Sequence, residues 1–148
     1  MQHKTEWFLI ADATRARLAA RVDGGLLKQI ASFEHLASRR KTSELGDDKA
    51  GREMSGSGFG GSAFEPKTDA HRKEHLRFAH ELAQYLEHEA VRGSFDALSI
   101  FAPNPFFGEL KQELGKNTGH RLGASRPVDL IDVGAAELEE RIQHAVAS

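Results

Sequence analysis

The chain has 148 residues, a length that suits one domain with a core of its own, and its 28% charged and 39% hydrophobic residues are ordinary for a soluble globular protein. A net charge of −2 argues against a generally basic nucleic-acid coat but leaves room for a local basic patch. With no cysteine, disulfides, thiol nucleophiles and cysteine-based metal sites are excluded. The apolar run Trp7–Ala11 is too short for a signal peptide or a membrane span, so a cytoplasmic protein without membrane association is expected.

In chain order, Thr5–Ala11 reads as a buried strand. Asp12, Ala13 and Thr14 supply turn chemistry. Arg15–Val22 alternates, with Ala16, Leu18, Ala20 and Val22 set against Arg15, Arg17, Ala19 and Arg21, the pattern of a half-buried antiparallel strand. Asp23-Gly24-Gly25 signals a hairpin. Leu27–His35 alternates again, placing Leu27, Gln29, Ala31 and Phe33 on one side. These three strands form a meander.

A stretch with almost no hydrophobic periodicity follows, from Leu36 to Lys67. Long structureless segments inside compact domains are uncommon, and usually functional or disordered. Thr68 or Asp69 then caps a helix whose apolar stripe is Phe78, Ala79, Leu82, Tyr85, Leu86 and Ala90, with Gly93 at its C′ position. Phe95–Ala102 is a strand. Asn104 caps a short helix with Pro105 in its first position, which Gly115 ends. His120–Ser125 is a short fifth strand and Arg126–Gly134 a connector. Leu138, Ile142, Ala145 and Val146 mark a C-terminal amphipathic helix.

The order β-β-β-loop-α-β-α-β-α predicts a single α/β domain over residues 1–148. Its five-stranded mixed sheet has an antiparallel meander on one side and parallel strands added beside the first strand. This is the ribonuclease-H-like arrangement.

Four residue patterns are candidates for chemistry. The run Gly56-Ser57-Gly58-Phe59-Gly60-Gly61 satisfies G-x-G-x-x-G, but it neither follows a strand directly nor opens a helix, as a dinucleotide site requires. It reads as a flexible segment, or as a binding loop of Gly58, Phe59, Gly60, Gly61 and Ser62 that approaches another backbone. Asp12, at the end of the first strand, is the natural first ligand of a two-metal nuclease, although its setting is that of a turn and Asp96, Asp129 and Asp132 are not placed clearly beside it. His71 and His75 are four apart on the long helix, yet Arg72, Lys73 and Arg77 beside them disfavour a cation. No metal and no cofactor is expected. Basic residues gather in the loop and the helix that follows: Arg39, Arg40, Lys49, Arg52, Lys67, Arg72 and Arg77 among them. The segment from Leu36 to Arg77 carries net charge +2, leaving −4 elsewhere, a mild polarity toward phosphates.

Trp7-Phe8-Leu9-Ile10-Ala11-Asp12-Ala13-Thr14-Arg15-Ala16-Arg17 resembles the opening of the bacterial host attachment proteins. The resemblance continues through Glu44–Arg52, Glu65–Asp69, Phe78–Leu82 and Phe101–Pro103, and so covers nearly the whole chain. That family is in turn similar to the middle domain of archaeal and eukaryotic peptide-chain release factors, where a meander leads into a Gly-Gly-Gln loop and then a long helix. The resemblance places Gly60, Gly61 and Ser62 at that loop, with serine where the water-positioning glutamine would stand. It implies a non-enzymatic cytoplasmic binding domain that engages RNA, the ribosome or a protein partner through its Gly-rich loop. The alternative is a hydrolase, either a nuclease or a peptidyl-tRNA-type esterase, centred on Asp12 or Ser62. The oligomeric state is open.

Overall fold

The computed structural model describes residues 3–34 and 67–147. Strands β1 (Thr5–Ala11), β2 (Arg15–Val22) and β3 (Lys28–Glu34) precede the long helix α1 (Lys67–Arg92). Strand β4 (Ala97–Phe101) and helices α2 (Phe106–Glu113), α3 (Lys116–His120) and α4 (Ala135–Ala147) complete the order. The sheet runs β3-β2-β1-β4, antiparallel through the meander and parallel between β1 and β4.

Period-two alternation along β1 sends Trp7, Leu9 and Ala11 into one core and Phe8 and Ile10 into another, all buried. On the first face α1 lays Phe78, Ala79, Leu82, Leu86 and Ala90 against the sheet, joined by Phe106 and Leu110 of α2. On the second, Leu138, Ile142 and Ala145 of α4 pack with Leu130 and Ile131 of the connector. The sheet is therefore covered on both sides, as parallel pairing of β1 with β4 demands. No described helix is long and apolar enough to cross a membrane.

The turns follow their local chemistry. Asp23 and Gly24 both have positive φ, 55° and 73°, and Gly25 N–H donates to Val22 O at 3.0 Å, the mirror-image turn that suits a twisted hairpin. At the end of α1, Gly93 and Ser94 donate their N–H groups to Ala90 O and Glu89 O, both at 3.0 Å, closing the helix with the paired bonds of a Schellman motif.

Four expectations need correction. First, β3 does not keep one face. A register irregularity at Leu18/Ala19 leaves Leu18 opposite Ala31 but Ala19 opposite Gln29. Ala31 and Phe33 therefore pack on the α1 side while Leu27 packs on the α4 side. Second, α1 begins at Lys67, so Thr68 and Asp69 both lie in its first turn and neither caps it. Third, Pro105, after a cis peptide bond from Asn104, is the N-cap of α2, and Gly115 is the N-cap of α3, a helix the sequence reading missed.

The fourth concerns the fifth strand. Among the described residues the sheet has four strands, and segment 121–126 meets β4 only through isolated bridges at Leu122 and Arg126. The bonds explain why. Leu98 N–H donates to Arg121 O and Arg126 N–H to Ile100 O, but between them Ile100 N–H is taken by the Ser125 hydroxyl at 2.9 Å. A side chain thus replaces the carbonyl that a continuous ladder would supply.

Helix α3 owes its position to a residue distant in sequence. Oε1 of Glu87, on α1, accepts from the N–H and hydroxyl of Thr118, both at 2.9 Å. Its Oε2 accepts from Asn117 N–H at 3.2 Å and from Asn117 Nδ2 at 2.7 Å. The carboxylate thereby serves the open N–H groups of the α3 start. Gly115 permits the approach, since a Cβ there would lie 2.5 Å from the Glu87 carboxylate.

Hydrogen bonds from the Asn117 side chain and Thr118 N–H, together outweighing partial desolvation, hold the Glu87 carboxyl down at about 2, against an ordinary 4.5. Because the folded value is the lower one, the stabilisation is complete above about pH 4.5 and is lost as pH falls toward about 2. Glu87→Ala is expected to lower stability by about 1–2 kcal/mol near neutral pH, the size of a lost helix cap. Urea unfolding of wild type and variant should show this difference shrinking over the same acid window.

Candidate functional site

Parallel strands β1 and β4 end at the same edge of the sheet and then part. After β1 the chain turns back through Asp12–Thr14 into β2; after β4 it leaves through Pro103-Asn104-Pro105 into α2. In open α/β sheets a crevice forms at such a parting point, outside the carboxyl ends of the strands, and is where ligands bind. Here a cavity of about 380 Å³ occupies it, lined by Ala13, Pro103, Asn104, Pro105 and Phe106 together with the first turns of α1, which contribute Asp69, His71, Arg72 and His75.

The walls are fixed by charge and packing. Arg72 Nη1 donates to Glu109 Oε2 at 2.8 Å, tying the start of α1 to α2, and the Glu109 side chain is only 13% exposed. One turn further along α2, Glu113 meets His80 Nδ1 at 3.0 Å. Phe106 stacks on Phe78 beneath the floor, with ring centroids 5.9 Å apart. The imidazoles of His71 and His75 line the cavity as neighbours, with centroids 6.3 Å apart and planes inclined by 28°. The crevice thus offers flat aromatic faces, an exposed amide at Asn104, and a cation already balanced by a carboxylate.

Asp12 directly precedes Ala13 of the lining, but its oxygens serve the turn. Oδ1 accepts from the N–H groups of Thr14 at 2.9 Å and Arg15 at 2.8 Å, and from the Thr14 hydroxyl at 3.2 Å. Oδ2 meets Arg15 Nη2 at 3.4 Å, and the same nitrogen reaches Asp132 at 3.3 Å. Partial burial pushes the Asp12 carboxyl up, but the bonds from Thr14 and Arg15 and the Arg15 charge outweigh it and hold it below the ordinary carboxylate value. The two carboxylates in turn raise Arg15 above its ordinary value.

Of the other carboxylates considered with Asp12, Asp132 is brought near it through Arg15, whereas Asp96 and Asp129 lie elsewhere. Asp96 accepts from Thr5 N–H at 2.8 Å, at the opposite end of β1, and Asp129 accepts from Ile131 N–H at 3.2 Å. Among the described residues no group of three or more His, Asp or Glu side chains is placed to hold a metal ion.

Of the remaining candidates, Gly58, Phe59, Gly60, Gly61 and Ser62 lie outside the described residues, as do Arg39, Arg40, Lys49 and Arg52. Lys67 opens α1. Arg72 lies in the crevice, and Arg77 is exposed further along α1. Sequence reasoning paired His71 with His75 but did not bring Asn104 and Glu109 to them. The available signal is the Pro-Asn-Pro turn directly after an apolar strand, which on sequence alone reads only as the start of a helix.

A mixed, open α/β sheet with helices on both faces and a crevice at the parting of two parallel strands defines the class of this chain. The chain belongs to a family described as "Protein required for attachment to host cells", whose model matches residues 7–142. Comparison with curated proteins gives no match.

The geometry makes Asp12 a turn residue. Asp12→Asn keeps an oxygen acceptor for both N–H groups and is expected to cost less than Asp12→Ala, which should lose about 1–2 kcal/mol, as a lost side-chain cap does. Thermal unfolding at neutral pH reads the order. Equal destabilisation by the two variants would show that the Arg15 ion pair, and not the turn bonds, holds Asp12.

Proposed function

We propose that this domain is a non-enzymatic, cytoplasmic binding module that engages RNA, in the setting of the ribosome, through the crevice and the Gly58–Ser62 segment. One observation carries the reading: α1 lines the crevice with His71, Arg72 and His75, and the same helix follows the Gly-rich run in the chain. Unpaired RNA bases stack on histidine and arginine planes, and phosphates take basic side chains. Arg39, Arg40, Lys49, Arg52, Lys67 and Arg77 supply the basic flank.

The finer part of this proposal is kinship with the release-factor middle domain and its ribonuclease-H-like sheet. The strand order β3-β2-β1-β4, with a long helix entering between the meander and β4, is what supports it. In that frame Gly60-Gly61-Ser62 takes the place of Gly-Gly-Gln. The shorter reach of serine favours binding over peptidyl-tRNA hydrolysis. Engagement of Asp12 by its own turn likewise leaves the hydrolase reading without an observation in its favour.

Deletion of Ser55–Ser62 is expected to leave the unfolding midpoint within a few degrees of wild type and to abolish co-sedimentation with ribosomes. His71→Ala/His75→Ala should weaken co-sedimentation without unfolding the protein. Ribonuclease treatment should release the wild type. Binding that survives ribonuclease would point to a protein partner instead, and no co-sedimentation by the wild type would end the RNA reading.

A further inference from the structure

Strand β2 presents Arg15, Arg17 and Arg21 on its α4 side, and they are not equivalent. Arg15 sits between Asp12 and Asp132, at 3.4 and 3.3 Å. Arg21 pairs with Glu6 at 3.0 Å and Glu139 at 3.2 Å, and lies over the Phe8 ring. Arg17 has no carboxylate among the described residues. Its Nη2 donates to two backbone carbonyls, Leu130 O at 3.0 Å and Val133 O at 2.9 Å. Its Nε is buried with no hydrogen-bond partner among the described residues.

This is an unusual state for a guanidinium. Carbonyl oxygens carry only partial charge, so two of them orient the fork without neutralising it. Partly buried charges are ordinarily paired, and buried N–H groups are ordinarily hydrogen-bonded. Arg17 also borders open space: with Arg15, Ser32, Phe33, Glu34 and Ile131 it lines a cavity of about 430 Å³. Ser32 is directly opposite Arg17 in the β2–β3 pairing and is exposed. With both Nη2 protons given to carbonyls and Nε closed off, Nη1 of this fixed guanidinium and the hydroxyl opposite it are the donors left for two oxygens of one anion.

We propose that Arg17 and Ser32 form an oxyanion site, in which the guanidinium and the Ser32 hydroxyl hold the phosphate or carboxylate group of a small ligand. The surrounding charge permits this. Asp12 and Asp132 are both engaged by Arg15, and Glu34 is the further carboxylate that lines the cavity and opposes an anion. The site lies beside β2 and β3, apart from the crevice between α1 and α2, and stands independently of the RNA reading.

The test follows the Arg17 Nε–H signal of the full chain by ¹⁵N NMR during titration with inorganic phosphate, with acetate, and with sodium chloride at matched ionic strength. Saturable movement with half-saturation at or below about 1 mM is expected for an oxyanion and not for chloride. A response to phosphate alone assigns a phosphate ligand; a response to acetate as well assigns a carboxylate-tolerant site. Ser32→Ala should weaken binding roughly two- to tenfold, the effect of one hydrogen bond, and Glu34→Gln should tighten it. Both positions are exposed, so these variants decide the question even if Arg17→Lys, expected to lose saturation, loosens the connector. No saturable movement, the same movement with chloride, or unchanged affinity in both Ser32→Ala and Glu34→Gln overturns the proposal.

Discussion

The structure depends above all on the double burial of β1. Leu9, Ile10 and Ala11 have no exposed surface, and Trp7 and Phe8 have almost none. A strand buried on both faces must satisfy its backbone wholly within the sheet, because no water reaches it. It does so by pairing antiparallel with β2 on one side and parallel with β4 on the other. The parallel partner cannot be reached by a tight turn, so the chain must cross the sheet. Helix α1 makes that crossing, and its apolar stripe becomes the cover for the Trp7–Leu9–Ala11 face. The crevice is a consequence: two parallel strands ending together, one chain folding back and the other passing on to a helix, leave room that neither fills.

What could be read from the sequence follows from how local each determinant is. β1 and β2 were legible to the residue because apolar alternation and the Asp12–Thr14 turn are local signals. β3 was legible as a strand, but the bulge that sends Leu27 to the other face comes from pairing and not from the alternation of β3 itself. Helix α3 was invisible for a clearer reason. Its sequence, Lys-Asn-Thr-Gly-His, has poor helix propensity, and the groups that hold it belong to Glu87 on another helix. Segment 120–125 reads apolar enough for a strand, yet Ser125 intercepts the bond that would have extended the ladder. Of the crevice, His71 and His75 could be paired by helical spacing alone; Asn104, Glu109 and Ala13 join them only once β1 and β4 are known to be neighbours.

The polar side chains around the carboxyl end of β1 divide by what they are already bound to. Asp12, Asp132 and Arg15 close on one another and on the hairpin. Arg72 and Glu109 close on each other across two helices. Such groups shape a surface but have little left to give a reacting substrate, since chemistry needs a free lone pair or an uncommitted proton donor within reach. His71, His75 and Asn104 toward α1, and Arg17 with Ser32 toward β3, are the groups whose donors, acceptors or ring faces look into open space. All are suited to holding planar rings or anionic oxygens, and among the described residues none has a hydrogen-bonded carboxylate or base behind it. That division is set by hydrogen bonds and not by residue type.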